Sequence, residues 1–409
     1  MLHRIWLAFI VAAFLATLWQ VIFSAELNAF ANTMDAITAM AKLSVEIAIG
    51  LIGLLAFWLG IFQVAENSGL IAKVSKVLEP LLCRLMPDIP RGHPAIGSIT
   101  MNMSANVLGL DNAATPFGIK AMQDMQSLAH DKETLTNSQI LFLVLNTSSV
   151  TLFPIAVFLY RAEQGAAQPT DVFIPILLAT SASTLVGLFV TCAVQRVNLF
   201  NRVVMLYLLA IFSLLTAIIL YFSTLASEQL AQQSSLVANF ALLSFVVIVL
   251  IAGWRKGQNT YELFVEGAKK GFDVAIMIIP YLLAMLFAIG MLRASGLLTY
   301  VGEAIAGGVA LLGFDTRFVD AIPTALMKPL SGSGARALMI ETMQYHGADS
   351  FVGRLASVMQ GSTETTFYVL AVYLGAVGVK HSRYAVGCCL AADFAGIFTA
   401  IMVSYWFFG

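Results

Sequence analysis

Two polar interruptions, one in each half of the chain, break sequence that is otherwise apolar enough for a lipid bilayer. Leu145–Pro154 reads LNTSSVTLFP and Met359–Tyr368 reads MQGSTETTFY. Similar apolar continuations follow them, IAVFLYRAEQG and VLAVYLGAVGV. Hydroxyls, amides and a carboxylate cost free energy in hydrocarbon unless they line a cavity or bind something. A duplicated break of this kind predicts a solute site between two structural repeats.

The bulk numbers agree. Of 409 residues, 59% are hydrophobic and 11% charged, with a mean hydropathy of +0.86. A soluble domain carries about 25% charge, so the chain reads as an all-α polytopic membrane protein. Its net charge of −1 gives no case for nucleic acid. Cys83, Cys192, Cys388 and Cys389 show no metal or redox spacing and read as packing residues. No Walker-type, HExxH or GxSxG motif is present, which argues against an ATP motor. The five histidines all fall outside the core spans and no nucleophile–base pair is visible, so neither enzymatic activity nor a cofactor is expected. The apolar run Ile5–Phe23 reads as an uncleaved first span rather than a signal peptide.

Nine spans are expected, at about 4–24, 43–64, 139–161, 172–195, 203–223, 236–254, 273–292, 355–378 and 384–407. Segments 93–127 and 318–345 are broken by Gly, Pro and polar residues and read as re-entrant hairpins, and 297–313 as amphipathic. An inner bacterial membrane with the N-terminus in the cytoplasm and the C-terminus outside places 15 Lys and Arg inside and 7 outside. Leu43–Leu70 resembles Lys270–Leu297, and both end in Ser-Gly-Leu. Each half crosses four times and span 203–223 lies between them, so the halves form an inverted-topology pair. The expected division is 1–200 for the first repeat, 201–235 for the linker and 236–409 for the second repeat.

Candidate site residues cluster in four places. In the first hairpin they are Asn106, Asp111, Asn112 and Thr115, near Gly109 and Pro116, which suit a tip. The other reading of that segment is a surface loop between short interfacial helices, with Asp111 as a solvated N-cap. In the second hairpin Ser331, Ser333 and Arg336 (KPLSGSGAR) offer backbone N–H groups and a fixed positive charge to an anion. The first break supplies Asn146, Thr147, Ser148 and Ser149, with Na⁺ near Asn146 and Ser149 as one reading. The second supplies Gln360, Ser362, Thr363, Glu364 and Thr365. Glu364 reads either as the coupling or substrate carboxylate or as a structural ion pair with Arg336. Asp393, in the last span, is a second buried-acid candidate, either facing a cavity or satisfied by an interhelical hydrogen bond.

With these residues in view, the chain resembles a known family. GLDNAATPFGIKAM and LNTSSVTLFP resemble spore maturation protein A; KPLSGSGARALM and DSFVGRLASVMQGSTETTFYVLAVYLG resemble spore maturation protein B. Both belong to the nucleoside-recognition or Gate-domain group, which is also similar to the membrane part of the bacterial ferrous-iron transporter and distantly to concentrative nucleoside transporters. The resemblance implies a fusion with two Gate domains, helical hairpins and an elevator-like motion. Two functional readings follow. One is a Na⁺- or H⁺-coupled secondary transporter of a small polar or anionic solute. The other is a non-transporting membrane maturation or assembly factor. Expected partners are the solute or ion, membrane lipid and a second copy of the chain.

Overall fold

The computed structural model describes residues 2–409 except Arg91 and Leu110; the side chains of Leu2, His3, Ile5, Asp111, Asn112 and Ala113 also lie outside the described part. The first repeat contains α1 (Leu2–Phe23), α2 (Ala29–Ser68), α3 (Leu70–Leu85), the hairpin α4 (Pro94–Val107) and α5 (Asp111–Leu128), then α6 (Asn137–Thr147), α7 (Ile155–Glu163) and α8 (Phe173–Gln195). A single helix, α9 (Arg202–Ser223), leads to the second repeat. There follow α10 (Ser227–Arg255), α11 (Thr260–Ala294), α12 (Leu297–Leu311), the hairpin α13 (Ile322–Met327) and α14 (Gly332–His346), then α15 (Phe351–Gly361), α16 (Thr366–Val377) and α17 (Ala385–Phe408). Among the described residues the only β feature is one isolated parallel bridge, Thr134 to His381.

Seven described helices are long and apolar enough to cross a membrane. The two remaining expected spans, 139–161 and 355–378, are each a pair of short helices separated by a polar break: α6 and α7, α15 and α16. The cause is local. In the first break Thr147 and Ser148 turn their hydroxyls back onto Val144 O at 3.0 and 2.7 Å, and in the second Ser362 turns onto Met359 O at 2.8 Å. Such back-bonding competes with the helical ladder. Pro154 then lacks the N–H a continuous helix needs. Segments 93–127 and 318–345 are helical hairpins, as expected.

Equivalent helices of the two repeats pack on each other in opposite directions. Gly267 meets Leu59 O and Gly60 Cα, whereas Gly271, one turn later, meets Ala56; α2 and α11 therefore run antiparallel. The same holds for α8 and α17, where Gly187 meets Ala392 and Gly396 meets Ser183. Antiparallel packing of repeat equivalents is the signature of inverted topology. The 40-residue α2 is about 60 Å long at helical rise, so this pair exceeds the bilayer core.

Small residues let the α2 and α11 backbones touch. A Cβ at Gly271 would lie 2.5 Å from the Cα and N of Ala56, atoms that cannot rotate away. Gly271→Leu is expected to lower stability by about 1–3 kcal/mol or more, read as a fall in melting temperature of the purified protein. Gly307→Leu, at an α12 position where nothing lies within 4 Å, should leave it unchanged.

Candidate functional site

The two breaks meet. Glu364 N donates to Thr147 O at 2.8 Å, joining the second repeat's break to the first's. Each break is also tied to its own hairpin: Leu152 N donates to Val107 O at 3.0 Å, and Phe367 N to Pro329 O at 2.9 Å. Glycines make this approach feasible. Gly109 (φ +72°) presses on Phe153 O, and Gly332 on Thr365 Oγ1, each leaving no room for a Cβ. On the far side Gly187 seats Ser148, and Gly396 seats Ser362 and Thr363.

Beside this junction lies a cavity of about 790 Å³ between the repeats. One wall is the α2 face that carries Leu51, Leu55, Trp58, Phe62 and Glu66, spaced by helical turns. Phe117, Phe153 and Tyr160 continue the apolar lining. Lys328, Arg336, Gln360, Thr363 and Glu364 supply the polar wall. Lys328 and Gln360 are buried, whereas Glu364 and Arg336 are half-buried. At the rim stand the exposed Glu66 and Lys270, with Lys270 Nζ on Gln63 Oε1 at 2.7 Å. The result is an amphipathic cleft with three cations and two carboxylates, suited to a solute with an apolar body and charged or polar ends.

The expected site residues divide into groups. Arg336, Gln360, Thr363 and Glu364 line the cavity. Arg336 lies over the Tyr160 ring, 5.3 Å from its centroid, with Nη1 3.5 Å from the phenol oxygen. The ion pairs of the described residues do not include one between Arg336 and Glu364. Asn106 and Asn146 join a polar network behind the wall: Asn106 Nδ2 donates to Asn146 Oδ1 at 2.9 Å, and Tyr373 OH reaches the same oxygen at 3.4 Å. With two donors already on Asn146 Oδ1, that atom is a poor Na⁺ ligand here, although the Ser149 hydroxyl beyond it is buried without a partner.

Other candidates have local duties. Thr147, Ser148 and Ser362 back-bond to their own helices. Ser331 caps α14, its Oγ accepting from Gly334 N at 3.0 Å, and Ser333 Oγ lies 3.2 Å from Ser331 Oγ. Thr365 packs on Gly332, and Thr115 is half-buried on α5 beside the cavity residues Pro116 and Phe117. The side chains of Asp111 and Asn112 lie outside the described residues. Asp393 stands behind the second break, 2% exposed, with Oδ2 accepting from Thr366 Oγ1 at 2.6 Å.

Sequence reasoning missed the aromatic wall. Trp58 reads by position as an interfacial anchor or a packing residue, yet it lines the cavity. The available signal was the run of α2 residues one turn apart that ends in Gln63 and Glu66, polar groups on the same helix face.

The comparisons agree with this architecture. The Gate family, described as nucleoside recognition, matches residues 48–163 and 275–380, more than half of the chain. Spore maturation protein B of Bacillus subtilis (strain 168) is 41% identical over 172 residues, covering 42% of this chain and 95% of that protein. Spore maturation protein A of the same organism is 44% identical over 149 residues, covering 36% of this chain and 76% of that protein. No solved structure matches. Two matched segments, two distinct relatives and two antiparallel repeats coincide, and the chain thus belongs to the Gate nucleoside-recognition family, as a fusion of halves similar to spore maturation proteins A and B.

Proposed function

We propose that this protein is a secondary transporter of a small polar or anionic solute bound in the cavity between its repeats. The observation that carries the reading is the meeting of two broken crossings beside an amphipathic cavity. Broken helices at a repeat interface are how transporters place free backbone and polar groups at depth. Lys328 and Arg336 attract an anionic end, Glu364 and Gln360 accept from donors, and the aromatic face holds the body. The helices α6–α8 and α15–α17 form one bundle, and the long α2–α11 pair is the frame against which it moves. This reading is tested by melting-temperature screening of purified protein against metabolite anions, followed by uptake into proteoliposomes of the solutes that stabilise it. A stabilising solute that is taken up is the expected result; stabilisation by none ends the reading.

The names of the two relatives favour a second reading, a maturation factor without transport. In that case substitutions in the cavity wall would leave the cellular phenotype intact.

The orientation belongs to the same proposal, with the N-terminus inside and the C-terminus outside. Reporter domains fused after Gly257 and after Glu228 are expected inside and outside, respectively. The opposite placement of either one contradicts it.

A further inference from the structure

Asp393 is the most deeply buried acid next to the breaks, and its surroundings are oxygen-rich. One carboxylate oxygen, Oδ2, accepts from Thr366 Oγ1 at 2.6 Å. The other, Oδ1, is buried without a well-formed hydrogen bond, as is Thr363 Oγ1, which lies within reach of the same carboxylate from the second break. Both residues are more than nine-tenths buried, at 2% and 4% exposure. One turn along α17, Gly396 brings the Ser362 carbonyl against the helix, 3.1 Å from where a Cβ would sit. Its lack of a side chain lets the second break pack against the turn of α17 that follows Asp393.

Buried polar atoms that close no full hydrogen bond are costly as they stand. A proton on Asp393 would relieve the cost, and so would a small cation between the oxygens; only the cation makes stability depend on the Na⁺ concentration. The donors are a carboxylate, hydroxyls and a backbone carbonyl, the set that hard cations prefer. One carboxylate balances one positive charge, and among the described residues no group of three or more His, Cys, Asp or Glu could hold a metal ion. Lys328, on the second hairpin tip, is the charged group whose field reaches Asp393, and it also lines the cavity.

We infer that Asp393, Thr363 and Thr366 form a Na⁺ site behind the second break, separate from the wall on which Glu364 stands. The inference deepens the transport reading by placing the coupling ion. Thr363 belongs to both the cavity lining and the ion site, so ion occupancy sets the position of a residue the solute touches. Glu364 is then a solute-side group, and the acid that carries the coupling is Asp393.

The test uses the full chain in detergent, with melting temperature titrated against NaCl or KCl and ionic strength held constant with choline chloride. The expected result is a saturable rise with Na⁺ that K⁺ and choline do not reproduce. Asp393→Asn should abolish the Na⁺ response, and Thr363→Val should raise the half-saturating Na⁺ concentration at least about tenfold. Thr363→Val decides the matter alone if Asp393→Asn fails to fold. Equal responses to Na⁺ and K⁺, no response to either, or an unaltered Na⁺ response in Thr363→Val would overturn the site. Because Na⁺ binding is read without transport, intact binding with no solute uptake sinks only the transport reading. Solute uptake that proceeds without Na⁺ binding sinks only the ion site.

Discussion

Arg161→Met is expected to be the most destabilising single substitution that leaves the cavity untouched. The Arg161 side chain is fully buried, and its guanidinium spends its donors on five acceptors, the longest contact being Nη1 to Ser357 Oγ at 3.5 Å. Nε donates to Pro169 O at 3.1 Å and Nη1 to Ala348 O at 2.8 Å. Nη2 lies 2.9 Å from Asp171 Oδ1 and 3.3 Å from Asp349 Oδ1. Asp171 is itself buried and holds Arg354 of the second repeat at 2.7 Å. The network thus clasps the end of α7 in one repeat to the start of α15 in the other. Methionine matches the stem but leaves Asp171 short of a donor and two carbonyls unsatisfied. Breaking one side of a buried ion pair costs roughly 3–5 kcal/mol. Arg161→Lys should recover little, because an ammonium lacks the planar fork. Arg161→Met combined with Asp171→Asn should recover part of the loss, since no buried charge is then stranded.

The same contact recurs by pseudo-symmetry at the opposite end, with different chemistry. There Lys380 meets Glu133 at 2.6 Å with the side chains 66% and 56% exposed, and Leu135 N donates to His381 O at 3.1 Å. Exposed pairs contribute about 0–1 kcal/mol, so Lys380→Ala should barely move the melting temperature. Equal losses at the two ends would contradict the claim that burial sets their strength.

Periodicity and punctuation made much of this fold legible. Apolar runs located the long helices, Gly109 and the Gly-Ser turn after Pro329 marked hairpin tips, and the two polar runs marked the breaks. The duplicated order of these features exposed the repeat, because an odd span between equal halves leaves inversion as its consequence. What stayed hidden depended on contacts across the chain. The hydrogen bond from Glu364 N to Thr147 O joins residues more than 200 positions apart, and no local pattern encodes it. Hydroxyl-rich composition left their use open: Thr147, Ser148, Ser331 and Ser362 bond to nearby backbone groups, a use that composition alone does not separate from ligand binding. Trp58 was hidden for the converse reason, since an aromatic on a long apolar helix reads the same whether it faces lipid or a cavity.

Glu364→Gln and Arg336→Lys are expected to weaken solute binding while leaving the protein folded. Glu364 is held where the breaks meet by its backbone N–H on Thr147 O, and its half-buried carboxylate faces the cavity. Glutamine keeps the shape and the backbone bond but turns one acceptor into a donor. A hydrogen bond to a charged group contributes about 1.5–3 kcal/mol, so solute affinity should fall roughly 10- to 150-fold. Arg336→Lys retains positive charge but gives up the fork and the stacking over Tyr160, and should also weaken binding. A structural lock between the two side chains predicts a different order of effects. Either single change would then strand a charge and lower the melting temperature sharply, and Glu364→Gln with Arg336→Leu would restore it. The observed contacts oppose that order, because Arg336 engages Tyr160 and the described ion pairs do not join it to Glu364. Melting temperatures of both singles and this double, measured with solute affinity, separate the two. A double variant that regains both stability and uptake would remove Glu364 and Arg336 from the solute site.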